Sequence, residues 1–260
     1  MIVKGNPIVK ESKAEREGLT IYGIHPVMEA IAAGRQIEKV MIQNGLASPL
    51  LSELKGKVKE AGIAVQYVPV EKLNRLTRGN HQGVVATVSA IEYRSFAAMV
   101  EEGAWHSDCP MVVLLDHVTD VRNVGAIARS AECAGVEGII VPQHGSAALN
   151  DEAVKSSSGA LMRVPVCRED NLKTVIHLAR QSGWQICAAT EKGATPYTEV
   201  DFRRPTILVM GSEDKGISNE VLKLCDQRAK LPMCGEVQSL NVSVAAGIFF
   251  YEALRQKNNR

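Results

Sequence analysis

The sequence predicts an α/β protein with two domains: a small N-terminal domain and a larger C-terminal domain built on a parallel sheet. Short apolar segments alternate with amphipathic ones throughout residues 109–260, as expected for parallel strands that helices cover on both faces. The chain has 260 residues, of which 45% are hydrophobic, and this is enough for two separate cores. A charged stretch at residues 92–108 marks the boundary.

The N-terminal domain is expected to occupy residues 1–91 and to begin with a polar arm at residues 1–19. Pro26 lies in the first turn of one predicted helix, and Gly62 ends a second, lysine-rich one. Segments rich in β-branched residues lie between and after the helices. The sequence therefore predicts helices at residues 26–33 and 49–61, and strands at residues 39–43, 64–69 and 83–90.

The C-terminal domain is expected at residues 109–260, after a helical linker at residues 92–108. Ligands of parallel sheets bind beyond the carboxyl ends of the strands. Strands are predicted at residues 111–115, 138–141, 163–166, 185–190 and 206–211, and helices at residues 123–134, 151–157 and 172–182. A site is therefore expected in the loops that follow Leu115, Thr190, Met210 and Leu231.

The composition excludes several classes of protein. The six cysteines are spread along the chain without any C-x-x-C pair, which argues against a structural zinc site and a disulfide framework, so no metal is expected. The N-terminus has no apolar segment of the signal-peptide type, and the longest apolar stretch, residues 242–251, is about half as long as a bilayer span. A cytoplasmic protein with no membrane partner is expected.

Charge is divided unevenly along the chain. Residues 1–93 carry 12 lysines and arginines against 9 acidic residues, whereas residues 94–260 carry 18 against 20. The N-terminal part is therefore the better candidate for contact with nucleic-acid phosphates. Aromatic residues make up only 4% of the chain, so a nucleic-acid surface here cannot depend mainly on base stacking.

The first of three conspicuous segments, DHVTDVRNVGAIARSAECAG, runs from a strand into a helix of small residues at positions 116–135. Asn123 near the helix start is either a helix N-cap or a site residue. Arg129 is either a solvated helix residue or a functional cation. The alanines and glycines around it imply close packing, which makes a long cation there less ordinary.

The second segment, ILVMGSEDKGIS at residues 207–218, leads from a buried strand into an acidic loop. Gly211 and Gly216 have the spacing of a phosphate-binding loop, but Ile217 replaces its lysine, and acidic residues repel phosphate. An NTPase is therefore excluded. The chain also lacks a G-x-G-x-x-G run, which argues against an ordinary dinucleotide site.

The third segment, LPMCGEVQSLNVSVAAGIFFYEALRQ at residues 231–256, leads from a short strand into an apolar helix. The triplet Ser239, Leu240 and Asn241 lies just before the helix. Taken alone, this segment is a buried C-terminal helix with its cap.

Together, the order and spacing of the three segments resemble the motifs of the SpoU/TrmH branch of the SPOUT RNA methyltransferases. The most specific pieces are N-x-G-x-x-x-R (Asn123, Gly125, Arg129), the run M-G-S-E, and L-P-M followed by S-L-N-V-S-V-A. The resemblance covers residues 109–260. In the N-terminal domain, IYGIHPVMEAI and NHQGVVA resemble the bacterial subfamily that 2'-O-methylates a guanosine in the peptidyl-transferase region of 23S ribosomal RNA.

The resemblance implies a deep trefoil knot in the C-terminal domain, S-adenosyl-L-methionine as the cofactor, and a homodimer. The family holds the cofactor mainly through the backbone of three loops. Gly211 allows such close backbone approach, and the large apolar residues offer a bed for adenine. On this chain the implied cofactor-binding residues are Thr190, Gly211, Leu231, Met233 and Leu240.

The resemblance also implies a catalytic group made of Asn123, Arg129, Glu213, Ser239 and Asn241. Because arginine stays protonated in proteins, the expected role of Arg129 is to bind the RNA phosphate and to orient the 2'-hydroxyl. Glu213 is expected to bind Arg129 or a ribose hydroxyl. The other three side chains supply donors and acceptors without adding charge near the sulfonium group.

The N-terminal domain resembles the small RNA-binding domain of the same subfamily. Arg75, Arg78 and Asn80 are the residues expected to contact RNA, whereas Lys55, Lys57 and Lys59 are also consistent with a solvated helix face. The expected partner is 23S rRNA or a pre-ribosomal large-subunit particle, and not DNA.

Two other functions stay open on the sequence. A methyltransferase of tRNA guanosine would share the C-terminal motifs, although NHQGVVA and the N-terminal domain disfavour it. A non-catalytic RNA-binding or ribosome-assembly factor would keep the fold but would be expected to lose Arg129, Glu213 or Asn241, and all three are present.

Overall fold

The computed structural model describes residues 20–103, 105–237 and 239–259. The chain divides into two compact units between Ala90 and Ile91. The arm expected at residues 1–19 lies outside the described residues. The segment expected to be a linker, residues 92–108, contains a short strand and a helix that both belong to the second unit.

The first unit is built on a mixed sheet with helices on both faces. On one face Val40 packs in a core with Val27 and Leu54 from two helices. On the other face Met41 packs with Leu73 from a third helix. The described elements are β1 (Thr20–Tyr22), α1 (Ile24–Ala32), β2 (Ile37–Gln43), α2 (Pro49–Glu60), β3 (Ala64–Val68), α3 (Val70–Leu76) and β4 (Val84–Val88), with strand order β1-β4-β2-β3.

The second unit is built on a parallel sheet that is buried on both faces. Within one central strand, Met111, Val113 and Leu115 belong to one core, and Val112 and Leu114 belong to the other. This double burial explains the continuous apolar sequences of the strands. The described strands are, in spatial order, β10 (Thr195–Pro196), β12 (Gln227–Lys230), β9 (Gln185–Ala189), β11 (Thr206–Gly211), β6 (Met111–Asp116), β7 (Gly138–Pro142), β8 (Val166–Glu169) and β5 (Tyr93–Arg94).

Helices cover both faces of this parallel sheet. Two of them, α5 and α9, pack against each other and against the core that contains Leu115, whereas α4, α7 and α8 cover the core that contains Leu114. No helix within the described ranges is long and apolar enough to cross a membrane. The helices are α4 (Phe96–Glu102), α5 (Val121–Cys133), α6 (Asp151–Ser156), α7 (Leu172–Gln181), α8 (Asn219–Leu222) and α9 (Val242–Asn258).

Three parallel strands of the second unit bring the sequence motifs to one edge of the sheet. β6 and β11 are parallel, and their register places Gly211 opposite Asp116. The first motif follows β6, the second follows β11, and the third follows β12 at the same edge of the sheet. The loops after these strands are where a parallel sheet binds its ligands.

Two of the differences between the structure and the predicted elements have a clear physical reason. The strand predicted at residues 163–166 is wrong in position, since β8 runs from Val166 to Glu169. Pro165 has no N–H to give to a sheet ladder, and a short 3-10 helix at Ala160–Met162 precedes it. Helix α3 is not predicted, because its seven residues are too few for a helical period to stand out.

Candidate active site

A cleft of about 390 Å³ opens at the carboxyl ends of β9 and β11. Its wall combines apolar side chains with backbone and polar groups from the second and third motifs. Glu213 and Ser239, from the predicted catalytic group, also line it. The structure places in this lining all five residues implied to bind the cofactor, namely Thr190, Gly211, Leu231, Met233 and Leu240.

The loop after β11 is tightly folded, and Gly211 makes this possible. A Cβ atom at Gly211 would lie 2.2 Å from the carbonyl carbon of Gly216 and 2.3 Å from the nitrogen of Ile217. The N–H of Gly216 donates to the carbonyl of Ser212 at 2.9 Å, and the N–H of Ser212 donates back to the carbonyl of Gly216 at 3.2 Å. Any side chain at Gly211 would therefore push open the wall of the cleft.

The turn after β9 is held close to β12 in a similar way. The N–H of Thr190 donates to the carbonyl of Ala229 at 2.9 Å, and the N–H of Gly193 donates to the carbonyl of Thr190 at 3.0 Å. A Cβ atom at Gly193 would lie 2.5 Å from the carbonyl oxygen of Arg228. Backbone geometry thus shapes this side of the cleft.

Asn123, Glu213 and Asn241, one residue from each motif, form a hydrogen-bonded cluster. Oε1 of Glu213 accepts from Nδ2 of Asn241 at 2.6 Å, from Nδ2 of Asn123 at 3.2 Å and from the N–H of Val242 at 3.4 Å. Nδ2 of Asn241 also donates to Oδ1 of Asn123 at 3.0 Å. Within the described residues, Oε2 of Glu213 accepts no hydrogen bond, so this oxygen is available to a ligand at the cleft.

Helix ends position the two amides of the cluster. The side chain of Asp120, not that of Asn123, caps α5 by accepting the N–H of Arg122 at 2.7 Å. This bond lowers the pKa of Asp120. The N-cap interpretation of Asn123 is therefore wrong, and its side chain is used for Glu213 instead. Asn241 does both, because its Oδ1 caps α9 by accepting the N–H of Ser243 while its Nδ2 faces Glu213.

Arg129 is not part of this cluster. It is exposed on α5, six residues after Asn123, and it does not line the cleft. Six residues of an α-helix correspond to about 9 Å along the axis and about 240° around it. Within residues 20–103, 105–237 and 239–259, no hydrogen bond or ion pair holds the guanidinium. Its catalytic role stays a prediction.

One polar residue at this edge was not singled out from the sequence. Asp116, the last residue of β6, is buried, and its Oδ2 accepts the N–H of Ser218 at 2.7 Å. An acidic residue that ends an otherwise apolar central strand is the signal by which the sequence could have indicated it.

Comparison with known proteins agrees with this architecture. Residues 110–251 match the SpoU rRNA Methylase family, and residues 20–94 match the family described as RNA 2'-O ribose methyltransferase substrate binding. A Staphylococcus haemolyticus protein named at family level as a TrmH family tRNA/rRNA methyltransferase is 37% identical, over 93% of this chain and 97% of its own.

Solved structures give the same result. An AdoMet-bound rRNA methyltransferase from Sinorhizobium meliloti is 27% identical, with a TM-score of 0.58 over 94% of this chain and 90% of its own. The TrmH/SpoU tRNA modifying enzyme from A. aeolicus is 31% identical, with a TM-score of 0.53 over 63% of this chain and 83% of its own. The chain described here therefore belongs to the SpoU/TrmH family of RNA methyltransferases.

Proposed function

We propose that this protein transfers a methyl group from S-adenosylmethionine to the 2'-hydroxyl of a guanosine in the peptidyl-transferase region of 23S rRNA. The observation that carries the proposal is the cluster of Asn123, Glu213 and Asn241, whose carboxylate also lines the cleft. An acceptor oxygen beside a ligand cleft is what the alignment of a ribose hydroxyl requires.

The cleft fits S-adenosylmethionine in size and chemistry. Its volume of about 390 Å³ lies within the range of roughly 300–1,000 Å³ that is common for small-molecule sites. Leu231, Met233 and Leu240 would hold the adenine, and Glu213 with the neighbouring Asp214 would favour the positive sulfonium. When bound, the cofactor supplies the electrophilic methyl group.

The residues of the chain align the hydroxyl and leave its proton a path. Oε2 of Glu213 would accept a hydrogen bond from a ribose hydroxyl, while the two asparagines keep the carboxylate in place. Arg129 remains protonated, so it would bind a backbone phosphate and orient the ribose, with the proton passing to that phosphate. Ser239 at the cleft adds a neutral donor and acceptor.

The partners proposed are 23S rRNA or a pre-ribosomal large-subunit particle, and a second copy of the chain in the cytoplasm. Arg75 and Arg78 are exposed in the unit that matches the substrate-binding family, where they can meet phosphates. Val244 and Tyr251, seven residues apart on one face of α9, are exposed apolar residues that a homodimer would cover.

A tRNA guanosine is the second candidate substrate, since the Staphylococcus haemolyticus relative is named for tRNA and rRNA alike. The tRNA modifying enzyme from A. aeolicus aligns with 63% of this chain, whereas the rRNA methyltransferase from Sinorhizobium meliloti aligns with 94%. The longer alignment favours rRNA. A non-catalytic assembly factor would have no need of the three-residue cluster.

The test is a methylation assay with labelled S-adenosylmethionine and RNA from cells that lack this protein, followed by mapping of the label. We expect one labelled guanosine in 23S rRNA, and no label with a Glu213→Gln variant that still binds the cofactor. Label in tRNA alone would favour the second candidate. Label in neither RNA, with cofactor bound, would leave the assembly factor.

A further inference from the structure

Asp116 is a buried carboxylate at the edge of the sheet where the cleft lies. Its side chain is 1% exposed. Oδ2 accepts the N–H of Ser218 at 2.7 Å, and Oδ1 accepts from Nδ1 of His117 at 2.5 Å. A carboxylate inside a protein is unfavourable unless its oxygens accept hydrogen bonds, and here both oxygens do.

The hydrogen bond to Ser218 fixes the far end of the loop that carries Glu213. The near end is fixed because Gly211 is the last residue of β11, and the middle is closed by the bonds between Ser212 and Gly216. In the register of β6 and β11, Asp116 lies opposite Gly211. The carboxylate of Asp116 on β6 therefore holds Ser218, at the end of the loop, close to Gly211, where the loop begins.

His117 makes its contact with Asp116 from an uncommon backbone conformation. Its φ is +60°, a left-handed conformation that glycine or asparagine adopts more readily than a residue with a branched or bulky side chain. Its side chain is 57% exposed, so burial does not hold the ring in place. The ring is held by a hydrogen bond in which Nδ1–H donates to Asp116, because a carboxylate can only accept.

We propose that Asp116 is a positioning residue for methyl transfer, and that His117 is its partner. Asp116 holds the loop from Gly211 to Ser218 so that its backbone lines the cleft and Glu213 meets the two asparagines. His117 binds the second oxygen and keeps the carboxylate aimed at Ser218. The inference rests on the proposed function, because the loop is one of those assigned to the cofactor.

The decisive variant is Asp116→Asn, which keeps the shape of the side chain. An amide has one acceptor and one donor group, so it cannot accept from both Ser218 and His117. The matched control is Glu137→Gln. Glu137 is also buried and accepts two hydrogen bonds, from the N–H of His106 at 2.5 Å and from Oγ of Ser107 at 2.7 Å, but it precedes β7 at the opposite edge of the sheet.

Hydrogen exchange of residues 212–218 in the full chain, without RNA or cofactor, measures how firmly the backbone of the loop is held. Asp116→Asn should speed exchange at Ser218 at least tenfold and weaken binding of S-adenosylmethionine about tenfold in calorimetry, whereas Glu137→Gln should change neither. If Asp116→Asn lowers the melting temperature as Glu137→Gln does but leaves loop exchange and cofactor affinity at the wild-type level, the role is only structural and the proposal is overturned.

His117→Gly gives a second and independent test. Glycine suits the left-handed conformation, so this variant should fold even if Asp116→Asn does not. We expect an unchanged or higher melting temperature together with faster loop exchange and weaker cofactor binding. Wild-type cofactor binding and exchange in His117→Gly would contradict the pairing. Because neither readout involves RNA, failure of the wild-type protein to methylate 23S rRNA would count against the proposed substrate and not against this inference.

Discussion

At the scale of a single residue, substitution of Arg129 distinguishes the two interpretations of this side chain, a solvated helix residue or a functional cation. A solvated helix residue would make Arg129→Ala nearly silent, within about 0.5 kcal/mol in stability. We expect instead that turnover falls about a hundredfold or more, the scale of a lost orienting group, while cofactor affinity stays near the wild-type value. Single-turnover methylation of rRNA and calorimetry with S-adenosylmethionine measure the two quantities.

Two further variants control this prediction. Arg163→Ala removes another exposed arginine, which lies just before β8 and forms an ion pair with Glu132. This variant should leave turnover near the wild-type value. Arg129→Lys keeps the charge but loses the planar fork of the guanidinium, so it should remain impaired. Near-full turnover of the lysine variant would mean that charge alone suffices, and near-full turnover of Arg129→Ala would remove the residue from the catalytic group.

The sequence predicted the members of the cluster, but not how they are bonded. Asn123, Glu213 and Asn241 stand out because a family resemblance preserves residue types in order. Asp116 does not stand out, because its contact with the loop is made to Ser218, which lies 102 positions away and contributes only a backbone N–H. The side chain of Ser218 takes no part in that hydrogen bond, so the residue type does not predict it. The pairing of β6 with β11 brings the two groups together.

At the scale of helices, Gly125 explains why the first motif contains a glycine. A Cβ atom there would lie 1.8 Å from Oγ of Ser156 and 3.0 Å from the carbonyl oxygen of Ala153, both on α6. The helices α5 and α6 therefore approach each other too closely for a side chain at this position. The glycine belongs to the packing that holds Asn123 in place, two residues earlier on the same helix.

We expect Gly125→Ala to destabilise the second unit. Alanine gains about 1 kcal/mol over glycine in helix propensity, but overpacking costs roughly 1–3 kcal/mol, so the balance is a net loss. Denaturant unfolding followed by circular dichroism measures it. Gly247→Ala is the matched control, because its Cβ would meet nothing nearer than Oγ of Ser130 at 3.9 Å on the neighbouring helix α5. Equal stability of the two variants would refute the packing account.

Two motifs of the first unit turn out to support one another. Nδ1 of His81 accepts the N–H of Gly83 at 2.9 Å, and its Nε2 donates to Oδ1 of Asn74 at 2.8 Å. Oε1 of Gln82 accepts the N–H of Ile24 at 3.3 Å, at the start of α1. The segments NHQG and IYGIHP, distant in sequence, are thus joined by a helix-capping contact. A sequence pattern shows such residues without showing that their role is to hold a turn.

At the scale of the whole chain, the two units should separate in function. A chain of residues 91–260 should bind S-adenosylmethionine as the full protein does but methylate rRNA at least tenfold more slowly, since the unit that matches the substrate-binding family is gone. Calorimetry and the methylation assay check the two parts. The cut belongs after Ala90, because a cut after Tyr93 would remove a residue that pairs with Val166 in the large sheet.

Ionic strength distinguishes the reasons for such a loss. If exposed arginines of the first unit bind phosphates, the RNA affinity of the full chain should fall steeply with salt, and that of residues 91–260 should fall less steeply. RNA binding that is independent of salt, or unchanged methylation by the shortened chain, would contradict this division of labour.

The alternation of apolar and amphipathic segments was sufficient to predict a parallel sheet, but not its strand order. β11 lies between β6 and β9 in the sheet, although it begins 95 positions after β6 in the chain. The position of a late strand between earlier ones depends on tertiary packing between distant segments, and no local sequence pattern predicts it. The trefoil knot stays a prediction from the family resemblance.

The contact between Asn123 and Asn241 spans 118 residues and gives the order of synthesis a consequence for activity. A ribosome releases the first motif long before the third, so most of the sheet can pair while Glu213 still lacks its two donors from the third motif, Asn241 and Val242. Chains that stop before α9 would retain many buried strands and none of the completed site. We therefore expect a chain that stops before α9 to be unable to methylate RNA, because it lacks the contacts that complete the cluster.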